Sequence, residues 1–280
     1  MELISAFILG VIQGLTEFLP ISSSGHLVIA STLLNYNAPG LLLEAVVHIA
    51  TLLAIVIYFR KRIVLLVRGF VYELTGINKC DWARTSGPST GSIRLLVLLS
   101  ISFLCTGVVF LIFKGWAINA FETPIFVGVM FIGTSLVLIS TRFTQRSTSK
   151  TDLLSVGVKI AIVIGIIQGL AVFPGISRSG VTIAAALWAG QNNQSAAEYS
   201  FFLAIPTIIA ASIYSFWNVS YLSMDISVEL ILAAGVALLV GLISIHWLMR
   251  WMRQGRLWWF SGYCAFVGVI SIAGSFMGII

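Results

Sequence analysis

The sequence predicts an all-α, polytopic integral membrane protein with six transmembrane helices and two re-entrant helix–loop–helix pairs. Hydrophobic residues make up 59% of the 280 residues and charged residues only 9%, whereas soluble domains carry about a quarter charged residues. The apolar runs are long and continuous, which is typical of membrane helices rather than of barrel strands. One 16-residue segment also occurs twice, and such internal repeats are typical of membrane proteins with inverted halves.

The repeated segment is GVIQGLTEFLPISSSG at residues 10–25, which aligns without a gap with GIIQGLAVFPGISRSG at residues 165–180. Ten of the 16 positions are identical. The copies differ at three positions with reactive side chains, if the residue after each copy is included. The first copy has Glu17, Ser23 and His26, and the second has Val172, Arg178 and Val181. The first copy therefore offers an acid, a hydroxyl and an imidazole, and the second offers a guanidinium.

The first half of the chain begins with a broken helix pair. Residues 2–19 run into a break of Pro, Ser and Gly, and only the short apolar piece Leu27–Leu34 follows. Neither part spans a bilayer alone, and such a break at membrane depth must be buried in protein or line a cavity. Three spans and one amphipathic surface helix are then predicted: Leu42–Phe59, Ile93–Phe113 and Pro124–Thr141, with the surface helix at Ile63–Leu74.

The second half repeats this order after the polar linker Arg142–Asp152. Leu153–Phe173, the loop PGISRSG and Val181–Gly190 form the second broken pair. The remaining predicted spans are Glu198–Trp217, Val228–Met249 and Leu257–Ile279. We therefore predict one transmembrane domain over residues 1–280, with repeat one at 1–141, a linker at 142–152 and repeat two at 153–280.

Basic residues are concentrated in three loops, Arg60–Arg94, Arg142–Lys159 and Arg250–Arg256. The positive-inside rule places these loops in the cytoplasm, so both termini are predicted on the outer side of the cell membrane. Three spans separate the broken pairs, an odd number, which makes the two repeats inverted with respect to the bilayer. Because loops of this kind account for the net charge of +6, the charge gives no reason to expect a nucleic-acid partner.

Each serine loop leads into the N-terminus of a short helix. Unpaired N–H groups and a partial positive charge make such termini anion-binding sites, and Arg178 adds a planar cation suited to phosphate. A serine before a helix is often only an N-cap, but two matched loops with an intramembrane arginine favour a shared phosphate or diphosphate site. The predicted phosphate-binding residues are Ser22, Ser24, Gly25, Ser177, Ser179, Gly180 and Thr182.

Glu17 is the acidic candidate of this site. It can act as a general base, a proton donor or a ligand of a divalent cation, and the alternative is a structural ion pair with Arg178. His26 lies one turn after Ser22 and Ser23, so it can activate a hydroxyl or protonate a leaving oxygen; the alternative is a polar core residue. Supporting hydrogen-bonding roles are predicted for Gln13, Gln168, Glu44 and Glu198, while His48 is ambiguous and His246 is structural.

Two motifs resemble the signatures of a known family. QGLTEFLPISSSGH at Gln13–His26 and PGISRSGVT at Pro174–Thr182 resemble those of the undecaprenyl-diphosphate phosphatases of the bacitracin-resistance type, and the resemblance extends over essentially the whole chain. It implies a membrane hydrolase that removes the terminal phosphate of a polyprenyl diphosphate and regenerates the lipid carrier for cell-wall polymers. It assigns the catalytic roles to Glu17, Ser23, His26 and Arg178.

The resemblance also implies stimulation by a divalent cation, Mg or Ca, for which Glu17 is the candidate ligand. The first family motif, (E/Q)xxxE, is met by Gln13 and Glu17, but Gln13 cannot serve as an acid in a role that needs two carboxylates. Ser24 stands where other members have threonine. The second motif is complete in this sequence.

Two chemical routes remain open from the sequence. Ser23 can be the nucleophile, assisted by His26 or Glu17, or water can attack directly with Glu17 as the base. A rival function is a transporter or flippase of polyprenyl phosphate, because inverted repeats with broken helices are also the architecture of secondary carriers. The active site is predicted on the outer side, and a homodimer is an open expectation.

Overall fold

The computed structural model describes residues 3–33, 40–75, 91–121, 123–144, 156–218 and 227–277. In these ranges the chain forms eleven α-helices and two short 3₁₀ helices, and no strand is present among them. The prediction of an all-α, polytopic membrane protein is confirmed.

The helices follow the predicted order. Those of the first half are α1 (Leu3–Thr16), α2 (Ser23–Leu33), α3 (Gly40–Tyr58), α4 (Arg60–Thr75), α5 (Ser92–Phe121) and α6 (Pro124–Ser140). Those of the second half are α7 (Val158–Leu170), α8 (Arg178–Trp188), α9 (Asn193–Asn218), α10 (Val228–Arg253) and α11 (Phe260–Phe276). The 3₁₀ helices cover Thr141–Phe143 and Leu257–Trp259. The predicted linker lies mostly outside the described residues.

Five segments are long and apolar enough to cross a membrane, with a mean hydropathy between 1.5 and 2.8: Ser92–Ala117, Pro124–Phe143, Asn193–Trp217, Val228–Arg253 and Leu257–Phe276. The sixth candidate is α3 together with α4, and these two helices are bent by 74° at their junction. Val64, Val67 and Val71 are exposed along one face of α4, as expected for an amphipathic helix at a bilayer surface. The apolar helices α1 and α7 are too short to span alone.

Glycines allow the two broken helices to pack closely on long spans. A Cβ at Gly10 of α1 would lie 2.6 Å from the carbonyl oxygen of Ala233 on α10. The equivalent Gly165 of α7 approaches the carbonyl oxygen of Ser102 on α5 in the same way. Small residues at such spacing are typical of membrane helix contacts. Each broken helix therefore packs against a span of the opposite repeat, and the two halves are interlocked.

The last spans of the two repeats, α6 and α11, pack against each other through a second pair of glycines. A Cβ at Gly128 would lie 2.9 Å from the carbonyl oxygen of Gly268, and a Cβ at Gly268 would lie 2.8 Å from that of Gly128. Both glycines occur in the sequence FVGV. The hydroxyl of Ser135 on α6 also donates to the carbonyl oxygen of Ser261 on α11 (2.8 Å). This helix pair lies against both serine loops.

Candidate active site

The first serine loop, residues 17–22, turns the chain sharply between α1 and α2. Pro20 cannot donate a backbone hydrogen bond, so α1 ends before it. Ser22 has a left-handed backbone (φ 67°), the one non-glycine residue with positive φ in the described part of the chain. Its hydroxyl accepts a hydrogen bond from the Gly25 N–H (3.4 Å) and caps the start of α2. Uncommon backbone conformations of this kind are often found at functional sites.

The second serine loop, residues 171–177, is held by α6. Thr134 donates its hydroxyl to the carbonyl oxygen of Gly175 (2.7 Å) and accepts the N–H of Ser177 (3.1 Å). Gly175 has φ 98°, and any Cβ there would collide with the carbonyl oxygen of Val127. Ser177 in turn caps α8 by accepting the Gly180 N–H (3.1 Å). Sequence repetition has therefore produced two capped helix N-termini.

The two loops are in direct contact. The hydroxyl of Ser22 also accepts the N–H of Gly175 (3.1 Å), and the hydroxyl of Ser179 donates to the carbonyl oxygen of Leu19 (3.3 Å). Gly25 makes this approach possible, because a Cβ there would lie 2.7 Å from the ring of Phe131 and 3.0 Å from the Gly175 nitrogen. The starts of α2 and α8 therefore border one shared site.

Glu17 is the centre of this site. Its carboxylate accepts hydrogen bonds from the Ser23 hydroxyl (2.6 Å) and from the Gln13 side-chain amide (3.1 Å), and it forms an ion pair with the guanidinium of Arg178. The Glu17 residue is only 5% exposed. Ser23 of the first loop and Arg178 of the second are thus brought to the two oxygens of a single buried carboxylate. The sequence also predicted a structural pairing of Glu17 with Arg178 as the alternative to a chemical role, and the geometry allows both.

His48 of α3 also faces Glu17. Its Nε2 atom lies 3.5 Å from the nearer carboxylate oxygen, while its Nδ1 lies 2.7 Å from the carbonyl oxygen of Glu44. A carbonyl oxygen only accepts, so Nδ1 carries a proton. The sequence predicts no definite role for His48, although an ionisable residue inside a span is a signal of function.

His26 is held on both sides of its ring. Its Nδ1 lies 2.7 Å from the carbonyl oxygen of Ser22 and must therefore donate, and its Nε2 lies 2.8 Å from the hydroxyl of Tyr263 on α11. The rings of His26 and Tyr263 are nearly parallel, at an interplanar angle of 7°, and Phe131 meets the His26 ring edge-on. In neutral His26, Tyr263 donates to Nε2. Ser23 hydrogen-bonds to Glu17, which makes Glu17 rather than His26 its proton acceptor in this arrangement.

The other predicted phosphate-binding residues lie in the two first turns, but their hydroxyls point in different directions. Ser24 lies 3.5 Å from the Ser22 hydroxyl, and Ser177 lies 3.3 Å from that of Ser179. Thr182 donates back to the carbonyl oxygen of Arg178 (2.8 Å) and contacts Ser200 of α9, and it is fully buried. Its hydroxyl therefore hydrogen-bonds within α8 and to α9.

The four predicted supporting residues have different environments. Gln13 contacts Glu17 directly. Gln168, its repeat counterpart, donates instead to the hydroxyls of Thr106 and Thr207 (3.0 Å each). Glu44 contributes its main-chain carbonyl to His48. Glu198 accepts from Gln194 (2.8 Å) and pairs with Arg62 (3.8 Å), so its side chain stabilises the junction with α4 and not the serine loops.

Tyr263 was not identified as functional from the sequence. An aromatic residue near the start of a predicted span indicates only an interfacial position, and nothing in the pattern connects it with a residue 237 positions earlier.

For metal binding, no group of three His, Cys, Asp or Glu side chains gathers in the described part of the chain. One oxygen atom is available as a metal ligand: Gln13 Oε1 is buried beside Glu17 and has no hydrogen-bond partner among these residues.

Comparison with known proteins gives the same assignment over nearly the whole chain. A family model described as "Bacitracin resistance protein BacA" matches residues 6–270. A protein of Desulfatibacillum aliphaticivorans named undecaprenyl-diphosphatase is 37% identical over 278 residues, which cover 99% of this chain and 100% of that protein. A protein of Methanosphaera stadtmanae with the same name is 36% identical over 275 residues, covering 97% and 98%. Undecaprenyl-diphosphatase 2 of Halalkalibacterium halodurans is 34% identical over 269 residues, covering 94% and 93%.

These matches include both serine loops, and they agree with the motif resemblance and with the broken-helix fold. The chain belongs to the bacitracin-resistance protein BacA family.

Proposed function

We propose that this protein hydrolyses the terminal phosphate of undecaprenyl diphosphate, giving the monophosphate carrier and inorganic phosphate. The observation that carries the proposal is the contact of Glu17 with both Ser23 and Arg178, one from each repeat. Relatives covering nearly the whole chain are named undecaprenyl-diphosphatases. Regenerated carrier would return to cell-wall polymer synthesis, and the matching family is described by bacitracin resistance.

The site offers strong compensation for the charge of a diphosphate. Arg178 is permanently charged, and its five N–H donors match phosphate oxygens. The starts of α2 and α8 add unpaired N–H groups and partial positive charge. Arg178 is paired with Glu17 in the free protein, so an incoming diphosphate would share or take over the guanidinium. Substrate binding would thereby separate Glu17 from its cation partner at the moment when a base is needed.

In the first chemical step, the Ser23 oxygen attacks the terminal phosphorus. The new bond joins Ser23 Oγ to phosphorus, the bond from phosphorus to the bridging oxygen breaks, and undecaprenyl monophosphate leaves with the electron pair. The hydroxyl proton passes to Glu17, whose carboxylate oxygen is 2.6 Å away. Water then cleaves the phosphoserine, releasing inorganic phosphate and restoring the serine. Positioning and charge stabilisation supply most of the acceleration in such reactions.

His26 and Tyr263 are proposed to assist departure of the leaving group, undecaprenyl monophosphate. The Ser22 carbonyl and the Tyr263 hydroxyl fix the ring from opposite edges. An imidazolium would donate from Nε2 to a phosphate oxygen, with Tyr263 turning to accept or moving aside. Tyr263 is therefore a positioning residue that holds His26 until substrate arrives.

A divalent cation remains a proposal. The donor set that fits one is small: the Glu17 carboxylate, the unpartnered Gln13 Oε1 and the diphosphate oxygens of the substrate itself. When bound, such an ion would neutralise phosphate charge. Because Arg178 already pairs with Glu17, the protein contributes few ligands of its own, and the substrate would complete the coordination.

The side of the membrane on which the chemistry occurs is also a proposal. The concentration of basic residues in the loops between α3 and α5, α6 and α7, and α10 and α11 supports an outward-facing first loop and outer termini. A homodimer stays a prediction.

Transport of the lipid through the same site is the weaker alternative function, because the named relatives are diphosphatases. Release of phosphate by detergent-solubilised protein, with no second compartment, separates the two functions.

The test of the proposed nucleophile is Ser23→Ala, with Ser24→Ala as the matched control. Both serines lie in the first turn of α2, but only Ser23 contacts Glu17. In a phosphate-release assay with undecaprenyl diphosphate, we expect a loss of about 10³-fold or more for Ser23→Ala and a modest loss for Ser24→Ala. Near-normal turnover by Ser23→Ala would rule out the serine route and assign the attack to water.

A further inference from the structure

An open pocket of about 380 Å³ lies where α10 ends. It is lined by Trp247, Arg250, Trp251, Gln254 and Arg256, and none of these residues belongs to the site described above. The pocket therefore combines two guanidinium groups, two indoles and one amide. It contains cationic donors for an anion and apolar surface beside them.

Among the described residues, no acidic side chain compensates the positive charge of this pocket. In the described part of the chain, no carboxylate forms an ion pair with Arg250 or Arg256. The guanidinium of Arg256 lies over the ring of Trp259, 4.4 Å from its centroid. A guanidinium stacked on a ring keeps its in-plane N–H groups available for an anion. Two arginine side chains therefore present free donors to the same cavity.

The pocket lies at the edge of the bilayer. The candidate spans Val228–Arg253 and Leu257–Phe276 are separated by only Gln254, Gly255 and Arg256, so this connection marks a boundary between lipid and water. Trp247 is half exposed, and its ring centroid is 6.5 Å from that of Trp251. Interfacial tryptophans alone are common in membrane proteins, but an aromatic belt requires neither a concave surface nor two unpaired arginines within it.

We propose that this pocket binds the phosphodiester headgroup of an anionic phospholipid. Arg250 and Arg256 contact the phosphate through charge-assisted hydrogen bonds. Trp247 and Trp251 pack against the glycerol and the upper acyl chain, and the Gln254 amide bonds to the polar headgroup. A zwitterionic lipid brings its own cation toward the arginines, so the pocket favours a lipid with net negative charge.

Native mass spectrometry of the purified full-length protein tests the proposal, with phosphatidylglycerol and phosphatidylcholine of equal chain length as probes. We expect one phosphatidylglycerol adduct that survives at collision energies removing phosphatidylcholine. Arg250→Gln combined with Arg256→Gln should weaken that adduct about tenfold or more. The matched control is Arg60→Gln, because Arg60 is an exposed arginine at the junction of α3 and α4 and its substitution removes one charge elsewhere.

Three further measurements distinguish lipid binding from loss of charge, misfolding and binding of a soluble anion. Arg250→Lys with Arg256→Lys keeps the charge and should retain the preference for phosphatidylglycerol. Phosphate release by every variant reports correct folding, since none of these arginines contacts the candidate active site. Inorganic phosphate at millimolar concentration should not displace the lipid, and equal competition would assign the pocket to a soluble anion. An unchanged phosphatidylglycerol preference in the double glutamine variant, or an equal loss in Arg60→Gln, would overturn the proposal.

Discussion

The two broken helix pairs share ten of 16 residues in their repeated segments, yet the protein uses them differently. In α2 only Gly25 is buried, whereas nine of the eleven residues of α8 are buried. The open copy carries Glu17, Ser23 and His26, and the enclosed copy supplies Arg178. One repeat therefore contributes a carboxylate, a hydroxyl and an imidazole at its less buried short helix, while the other contributes a cation on a helix that is packed on most sides.

The largest difference between the repeats is expected from substitution of their equivalent glycines. A Cβ at Gly25 would meet the Phe131 ring at 2.7 Å, whereas a Cβ at Gly180 would have 3.1 Å to the Ser177 side chain as its nearest approach. Gly25→Ala must therefore shift α2 against the second loop, at a cost of about 1–3 kcal/mol. Displacing Ser23 from Glu17 should reduce phosphate release about 100-fold.

Gly180→Ala is the matched control, with a smaller expected loss of activity. Phosphate release and thermal unfolding of both purified variants check this prediction. If the two alanines reduced activity equally, close contact between the first loop and Phe131 would not be what positions Ser23.

The equivalent glutamines should separate chemistry from stability. Gln13 donates to the Glu17 carboxylate, whereas Gln168 donates to two threonine hydroxyls. Loss of a hydrogen bond to a charged group costs about 1.5–3 kcal/mol, so Gln13→Leu should reduce kcat about tenfold or more. Gln168→Leu should lower the thermal midpoint while kcat changes little. Phosphate-release kinetics and thermal unfolding measure both effects, and a loss of kcat in Gln168→Leu would show that the repeats share the chemistry.

The smallest effect is expected at the contact between His26 and Tyr263. Tyr263→Phe removes the hydroxyl that lies 2.8 Å from Nε2 and keeps the ring. A neutral hydrogen bond contributes about 0.5–1.5 kcal/mol, so kcat should fall about two- to twelvefold. The effect should disappear when His26 is already replaced by Asn, because Tyr263 acts through His26. Tyr58→Phe, on α3, is the control, and a Tyr263→Phe loss that persists without His26 would assign Tyr263 a direct role.

Much of the fold was predictable because membrane-spanning segments and internal repeats are local features of the sequence. The hydrophobic runs marked the spans, and the Pro–Ser–Gly breaks marked the re-entrant pairs. The observed helix ends differ from the predicted ones where a capping residue fixes the first turn. Because Ser177 caps the helix, α8 begins at Arg178 rather than at Val181. The matched loops predicted one shared site, whereas the sequence left open whether Glu17 or His26 contacts Ser23; Glu17 does so in the structure.

The remaining features depend on tertiary packing that no pattern in the chain encodes. His48 reaches Glu17 only because α3 packs beside α1, and Tyr263 reaches His26 from the far end of the sequence. Glu198 was expected to support the site through hydrogen bonds, but its carboxylate pairs with Arg62 at the start of α4. Repeat symmetry is therefore informative for the backbone and unreliable for individual polar side chains.

The central claim is that Glu17 and Arg178, one from each repeat, act as a single unit. A double-mutant cycle in the phosphate-release assay, with Glu17→Gln, Arg178→Gln and the combined variant, tests it most directly. Residues that act as a unit give strongly non-additive losses, so we predict that the double variant is hardly slower than the slower single variant. Losses that multiply across the two substitutions would contradict the account and place the two residues in independent roles.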